Sequence, residues 1–253
     1  FVAGVVSLVA GFAAPIAACG IAFARYTAAV VPGLPEVPVA VLVVLLVSAF
    51  HALYAQGGVR VQDALTAGKL VLAVLFVVAG IFSPNVDLSR LTAVPFELRE
   101  LGQGGFAYGV VLVSFAYTGW NAAIYVGGEV ERPDRTLPLA LAVGTLVVTL
   151  LYLALNLLFL VAAPLDELSV IEVAHVAARH LFGPSAARVL SITIAFGLLS
   201  TIGAFVLTGA RVYEALGRDH AKLAALARHG TRGTPWLAFA IQAALAVAMI
   251  ATS

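Results

Sequence analysis

Long apolar runs, separated by short polar segments, constrain the fold of this chain more than any other feature. A helix that crosses a bilayer needs about 20 apolar residues. Open sheet edges cannot exist in hydrocarbon, so each run is expected to form a helix. The expected spans are residues 1–24, 39–54, 61–82, 104–126, 139–163, 189–212 and 235–251. The sequence therefore predicts an all-α fold, a multi-pass transmembrane helix bundle that forms one integral membrane domain.

Composition places the chain in the bilayer and excludes several classes of partner. The chain is 62% hydrophobic and 11% charged, whereas soluble domains are about 25% charged. A net charge of +1 argues against nucleic acid as a partner. The single Cys19 excludes an internal disulfide. Because the chain begins at Phe1 and no signal peptide precedes the first span, we expect an internal piece of a longer protein of the cell membrane.

The distribution of Lys and Arg predicts the orientation of the helices, because cytoplasmic loops carry an excess of both. Loops after odd-numbered spans carry Arg25, Arg90, Arg99, Arg179 and Arg188. The opposite side carries Arg60, Arg132, Arg135, Arg211, Arg218, Lys222, Arg228 and Arg232. The second set is the larger, so its side is expected to be cytoplasmic. The first span then begins inside the cell.

The fourth span contains SFAYTGWNAAIY, a stretch too polar for an ordinary lipid-facing helix. A glycine among aromatic and hydrogen-bonding side chains favours a helix that is broken within residues 114–121. Irregular backbone is tolerated at that depth only where it lines a cavity or is buried in protein. The candidate substrate-binding residues are Phe115, Ala116, Tyr117, Thr118, Gly119, Trp120 and Asn121. The residues alone leave a second interpretation open, a packing helix in which Gly119 admits a neighbour.

Lys69 lies inside the third span, where an ionisable residue is a functional candidate by default. An ammonium at that depth is a candidate for proton exchange, although a structural lysine that reaches toward the interface is the alternative. Ser200 and Thr201 lie near the middle of the sixth span. Their hydroxyls would suit an ion or the lysine, or they would bond neighbouring helices.

The remaining polar positions suggest structural roles. His51 is expected at the cytoplasmic interface, and Asn156 is expected to bond a neighbouring helix. The acidic and basic residues between 166 and 179 are expected to include a short amphipathic helix. Zinc-ligand spacing, a phosphate-binding loop and a catalytic triad are not found in the sequence. We therefore expect no enzyme, no metal site and no organic cofactor.

Several motifs together resemble amino-acid permeases of the amino acid–polyamine–organocation superfamily. The most specific is SFAYTGWNAAIYVGGEVERPDRTLPLAL, which resembles the sixth span of that family and its following loop. GVVSLVAGFAAPIAACGIAFARY and VQDALTAGKLVLAVLF resemble the third and fifth spans. GARVYEALGRDH resembles the end of the eighth span, where the family reads closer to YAMARDG. Glu214, Gly217 and His220 depart from that pattern.

The resemblance implies a transporter of two inverted five-helix repeats with about twelve spans, of which this chain holds the third to the ninth. It implies that other spans of the same polypeptide complete the site. Backbone carbonyls at Phe115, Ala116 and Thr118 would bind the ammonium of an amino acid, and Phe115 would close over it. Gly119 and Asn121 would lie in the break, with Trp120 as a neighbour.

The resemblance also implies that Lys69 takes the place of a sodium ion and contacts Ser200, with Thr201 beside it. We therefore expect an amino-acid transporter that works by alternating access and is proton-coupled or an exchanger, with H⁺ rather than Na⁺ as the coupling ion. A passive channel or facilitator and a non-transporting membrane sensor subunit remain alternatives. The sequence favours a neutral substrate without identifying it, and it leaves the oligomeric state open.

Overall fold

The computed structural model describes residues 6–53, 58–93, 99, 104–117, 119, 130–230 and 233–252. The described parts are helical, with no β-strand among them. The prediction of an all-α transmembrane helix bundle is confirmed. Thr118, Trp120 and Asn121 of the candidate site lie outside the described residues.

Eight helices of ten residues or more make up the described architecture. They are α1 (Ser7–Ala28), α2 (Glu36–Leu53), α3 (Gly58–Ile81), α4 (Gly104–Ala116), α5 (Pro133–Ala162), α6 (Val173–Phe182), α7 (Pro184–Asp219) and α8 (Trp236–Ala251). Single turns cover Arg90–Ala93 and Leu165–Leu168, and a 3₁₀ segment covers Ala221–Ala227. By length and composition, five of the described helices can cross a membrane, namely α1, α2, α3, α5 and α7. Helices α4 and α8 are apolar but shorter.

Prolines and glycines fix several helix ends. Helix α1 is π-helical over Ser7–Ala13 and becomes an α-helix at the turn that carries Pro15. Pro133 begins α5, six residues before the expected span, because proline suits the first turn of a helix, where its missing N–H costs nothing. Gly183 has a φ of 87° and joins α6 to α7. A residue with a Cβ would be strained in that joint.

The first of two hydrophobic cores lies where α1, α2, α7 and α8 meet. Ile16, Val44, Ile202 and Ile250 are fully buried there, one from each helix. Helix packing is close at Gly20, where a built Cβ would lie 2.9 Å from Val44 Cγ2. These four helices form the tightly packed part of the described bundle.

The second core lies at the end of the bundle where α3 and α5 finish. It combines Phe76 of α3, Leu158 of α5, Leu181 of α6 and Ala187 of α7. At Gly80 a built Cβ would lie only 2.5 Å from Leu158 Cδ2, so the backbone of α3 packs directly against a side chain of α5. Helix α7 is thus the element common to both cores.

Hydrogen bonds between distant segments sort the helix ends into two sets. On one side, Tyr26 Oη donates to Ile171 O and Asp87 N donates to Val161 O. On the other side, Tyr213 Oη donates to Leu8 O at 2.7 Å. The ends of α1, α3 and α5 thus lie on one side, and the start of α1 and the end of α7 lie on the other. The charge distribution predicts the same two sides.

Candidate functional site

Helix α4 ends at Ala116, inside the stretch where the sequence predicts an interruption. The Tyr117 N–H donates to Ser114 O at 3.2 Å, which tightens the last turn. The final four carbonyls of a helix lack partners within the helix and point beyond its end. The backbone of Phe115 and Ala116 lies in this last turn. The helix end therefore presents acceptor groups where the resemblance implies that an ammonium binds.

Gly119 follows the helix end with a φ of 100°. An L side chain rarely adopts that conformation, whereas glycine does so without steric cost. A built Cβ at Gly119 would meet nothing within 4 Å, so the backbone conformation alone requires glycine. The interpretation of Gly119 as a packing glycine is not supported by the described neighbours.

An open groove of about 730 Å³ runs along α4 as far as Tyr117. Its described lining comes from α4 and α5 and is mostly apolar, comprising Phe106, Gly109, Val110, Val113, Ser114, Tyr117 and Thr145. The ring of Tyr117 packs edge-on against Tyr152 of α5, with centroids 5.7 Å apart. Ser114 Oγ donates to Val110 O on its own helix, so its proton is already engaged. No charged side chain belongs to the described lining.

The lysine of the third span meets the sixth span near the middle of both helices. Lys69 Nζ donates to Thr201 Oγ1 at 3.1 Å. Ser200, the hydroxyl that the resemblance pairs with Lys69, is the preceding residue on α7 and is 4% exposed. The structure thus brings Lys69 and the Ser200–Thr201 pair together, with Thr201 as the acceptor.

Two further residues border this lysine, and sequence reasoning did not single them out. Cys19 of α1 lies close enough to Lys69 for an electrostatic interaction. Gly197 of α7 faces the lysine stem, one helical turn before Thr201. Gly197 and Thr201 are four residues apart and so share a helix face, but that spacing alone does not mark a glycine as functional.

A second polar region lies where α2 and α8 pack against α7. Gln242 is 1% exposed, and its Nε2 donates to Phe205 O at 3.0 Å. His51 is 8% exposed and lies against Gly203, where a built Cβ would be 2.6 Å from His51 Nε2. Among the described residues, His51 Nδ1 and Gln242 Oε1 have no hydrogen-bond partner.

One expectation about a single residue was wrong. Asn156 Nδ2 donates to Tyr152 O on its own helix, so this donor does not reach a neighbour. The position of His51 at the cytoplasmic interface stays a prediction; its ring is buried against α7, where Gly203 leaves room for it. The one-dimensional pattern does not encode which helix faces meet. Within the described ranges, no group of three His, Cys, Asp or Glu residues is placed to hold a metal ion.

Sequence comparison relates this chain to known proteins. The family model described as "Amino acid permease" matches residues 1–253. The serine/threonine exchanger SteT of Bacillus subtilis (strain 168) is 28% identical over 228 residues, which cover 87% of this chain and 50% of that protein. The b(0,+)-type amino acid transporter 1 of Oryctolagus cuniculus is 27% identical over 177 residues, 70% of this chain and 36% of that protein. The methylthioribose transporter of Bacillus subtilis (strain 168) is 25% identical over 213 residues, 84% of this chain and 44% of that protein.

The match to the family model extends over every residue, whereas the chain spans half the length, or less, of these curated relatives. The membrane-spanning helices and the family match identify a multi-pass integral membrane protein of the cell membrane. The chain belongs to the amino acid permease family.

Proposed function

We propose that the protein containing this chain is a secondary transporter that moves amino acids across the membrane by alternating access. It is either proton-coupled or an exchanger. The observation that carries the proposal is the hydrogen bond of 3.1 Å from Lys69 to Thr201, at the middle of the bundle. A charged group is costly at that depth and is retained where it serves transport. The printed names of the relatives, a serine/threonine exchanger and a b(0,+)-type amino acid transporter, support amino acids as substrates.

The end of α4 would bind the backbone of the substrate. Its terminal carbonyls at Phe115 and Ala116 would accept hydrogen bonds from the substrate ammonium. Phe115 would close over the bound amino acid, as its family resemblance implies. Substrate favours the closed state because only that state pairs both charges of the ligand. The described lining of the groove along α4 carries no charge, which supports a neutral amino acid.

Lys69 would act as the proton-dependent cation of the site. As an ammonium it donates to the hydroxyl of Thr201 and holds α3 against α7. Loss of its proton would weaken that contact and release the two helices from each other. The coupling ion would therefore be H⁺, with the lysine in the place of a bound metal cation.

The Lys69→Met variant of the complete protein tests this proposal. Methionine keeps most of the volume and cannot carry a proton, so we expect proton-driven uptake into proteoliposomes to be lost. Leu70→Met, at the exposed neighbouring position, is the matched control and should transport normally. Retained pH-dependent accumulation in the Lys69→Met variant would contradict the coupling role.

Competition by the twenty amino acids across a pH series identifies the substrate and separates the alternatives. We expect neutral amino acids to compete and radiolabelled substrate to accumulate above equilibrium, with counterflow. Uptake that never exceeds equilibrium would indicate a passive facilitator. Ligand binding without any flux would indicate a sensor subunit.

A further inference from the structure

The stem of Lys69 lies against bare backbone. Gly197 is on α7, and a Cβ built on it would lie 3.2 Å from both Cγ and Cδ of Lys69. A carbon–carbon distance near 3.5–4.0 Å is optimal, so a methyl group at this position would push the stem away. With alanine at this position, the lysine stem would have to shift by a few tenths of an ångström from its observed path.

The carbonyl of the same glycine orients the hydroxyl that Lys69 contacts. Thr201 Oγ1 donates to Gly197 O at 3.2 Å, a bond between residues four apart on one helix. A hydroxyl has one proton and two lone pairs. Because its proton points at Gly197 O, a lone pair of Thr201 is left to accept from Lys69 Nζ.

We propose that Gly197 is a positioning residue for the lysine site, which receives the Lys69 stem in a slot and holds Thr201 as an acceptor. This inference rests on the proposed transport function and adds a residue that acts only through Lys69. With a Cβ at Gly197, Nζ is displaced from Thr201, and the proton-dependent link between α3 and α7 weakens.

Two other glycines provide matched controls for the same change to alanine. Gly68 immediately precedes Lys69 on α3, and a built Cβ there meets nothing within 4 Å. Gly203 is on α7 within two turns of Gly197, and its built Cβ would collide with His51 instead of Lys69. Gly68→Ala controls for the chemistry of the substitution, and Gly203→Ala controls for overpacking of α7.

The first measurement is the pH profile of uptake by the complete protein in proteoliposomes. For Gly197→Ala we expect the midpoint to move by at least about 0.5 pH unit, a threefold change in proton affinity. Gly68→Ala should keep the wild-type midpoint and rate. Gly203→Ala should lower the melting temperature and keep the midpoint, because it does not touch the lysine.

The second measurement is a double-mutant cycle of melting temperatures, which does not depend on transport. Gly197→Ala should lower the melting temperature by about 2 °C or more. In the Lys69→Ala background the stem is absent, so most of that loss should disappear. Such non-additivity is the signature of residues in direct contact.

The outcomes separate this inference from the proposed function. In one outcome, Lys69→Met abolishes proton-driven uptake while Gly197→Ala keeps the wild-type pH midpoint. That result would overturn the positioning role of Gly197 and leave the coupling role of Lys69 standing. If Lys69→Met still accumulates substrate with the normal pH dependence, the proposed function fails. In that case, additive changes in melting temperature for Gly197→Ala and Lys69→Ala would overturn the positioning role of Gly197 too. Non-additive changes would support the contact between Gly197 and the lysine stem as a packing feature.

Discussion

At the scale of single residues, one glycine determines how the segment after α7 folds. The 3₁₀ segment Ala221–Ala227 turns back onto the last turns of α7 at Gly217. A Cβ built on Gly217 would lie 2.6 Å from Ala227 N and 2.9 Å from Leu223 O. Both are backbone atoms, which cannot move aside as a flexible side chain can. Only glycine allows this close approach.

Two of the three residues that depart from the family pattern, Glu214 and Gly217, hold this segment in place. Glu214 accepts hydrogen bonds from Arg218 and, at 3.0 Å, from His229. His220 follows α7, and its backbone carbonyl accepts a bond from Leu223 N at 2.8 Å. With Gly217, Glu214 folds the segment into a cap on the predicted cytoplasmic side. The departure at these two positions is therefore a local structural variation.

The Gly217→Ala variant is expected to displace this cap while the membrane helices remain folded. Backbone amides of residues 221–230 should exchange hydrogen faster, because the docked 3₁₀ turns would lose their contact with α7. Hydrogen exchange with mass spectrometry on the detergent-solubilised protein measures the change. Gly144→Ala is the control, since a Cβ there meets nothing within 4 Å. Equal exchange in the two variants would show that Gly217 does not hold the cap.

At the scale of elements, α6 shows how a short amphipathic helix is fixed on the bundle. Its apolar face buries Ala177, Ala178 and Leu181. Ser83 Oγ and Asn85 Nδ2 both donate to Leu181 O, at 2.8 and 3.1 Å. Sequence reasoning predicted this helix from its charged residues, and the prediction is confirmed. Its contacts with the α3–α4 connection required the three-dimensional structure.

The carboxylate of Glu167 links α6 to the turn before it. It accepts hydrogen bonds from His180 at 3.0 Å and from Arg179 at 2.9 Å. The bond from His180, with help from Arg179, holds the pKa of Glu167 below its ordinary value of 4.5. A group whose pKa is lowered by folding stabilises the fold above its ordinary pKa, and that contribution is lost as pH falls through the folded value.

Acidification below about pH 4.5 is therefore expected to weaken the attachment of α6. Glu167→Gln should lose stability relative to wild type at neutral pH and show a flatter melting-temperature profile in acid. Asp166→Asn is the control, because the neighbouring Asp166 makes no ion pair with any described residue. The measurement is melting temperature between pH 3 and pH 7. If melting temperature depended on pH in parallel for the Glu167→Gln variant and wild type, a contribution of the Glu167 carboxylate to stability would be excluded.

At the scale of the whole molecule, the charge distribution and the contacts between helix ends indicate the same two sides. Leu88, in the connection after α3, lies on the side predicted to be extracellular and is 68% exposed. Ala224 lies in the 3₁₀ cap on the predicted cytoplasmic side and is exposed. The two positions are suited to a direct test of orientation.

Cysteines introduced at these positions should react differently in intact cells. Leu88→Cys should be labelled by a membrane-impermeant maleimide more strongly than the protein that carries only its native cysteines. Ala224→Cys should be labelled only after permeabilisation. The excess of Lys and Arg on the cap side is the physical reason. Labelling of Ala224→Cys from outside intact cells would reverse the predicted topology.

Sequence reasoning could find some residues of the lysine site and not others. Lys69 stands out because a charge inside an apolar span is rare, and Thr201 because hydroxyls are grouped with Ser200. Gly197 gives no such signal, since glycines are common in membrane helices. Its importance depends on which face of α7 meets the lysine, and that is a property of helix packing.

Sequence reasoning alone was enough to identify a helical membrane protein and to show which alternate loops carry more positive charge. These follow from local physics, because the bilayer requires about 20 apolar residues per helix and every backbone group paired. Which helix faces touch is visible only in the three-dimensional structure. It placed Lys69 on Thr201 and Gly197, and it buried His51 against Gly203. Such contacts depend on the rotation and separation of distant helices, which are set by packing over the whole bundle.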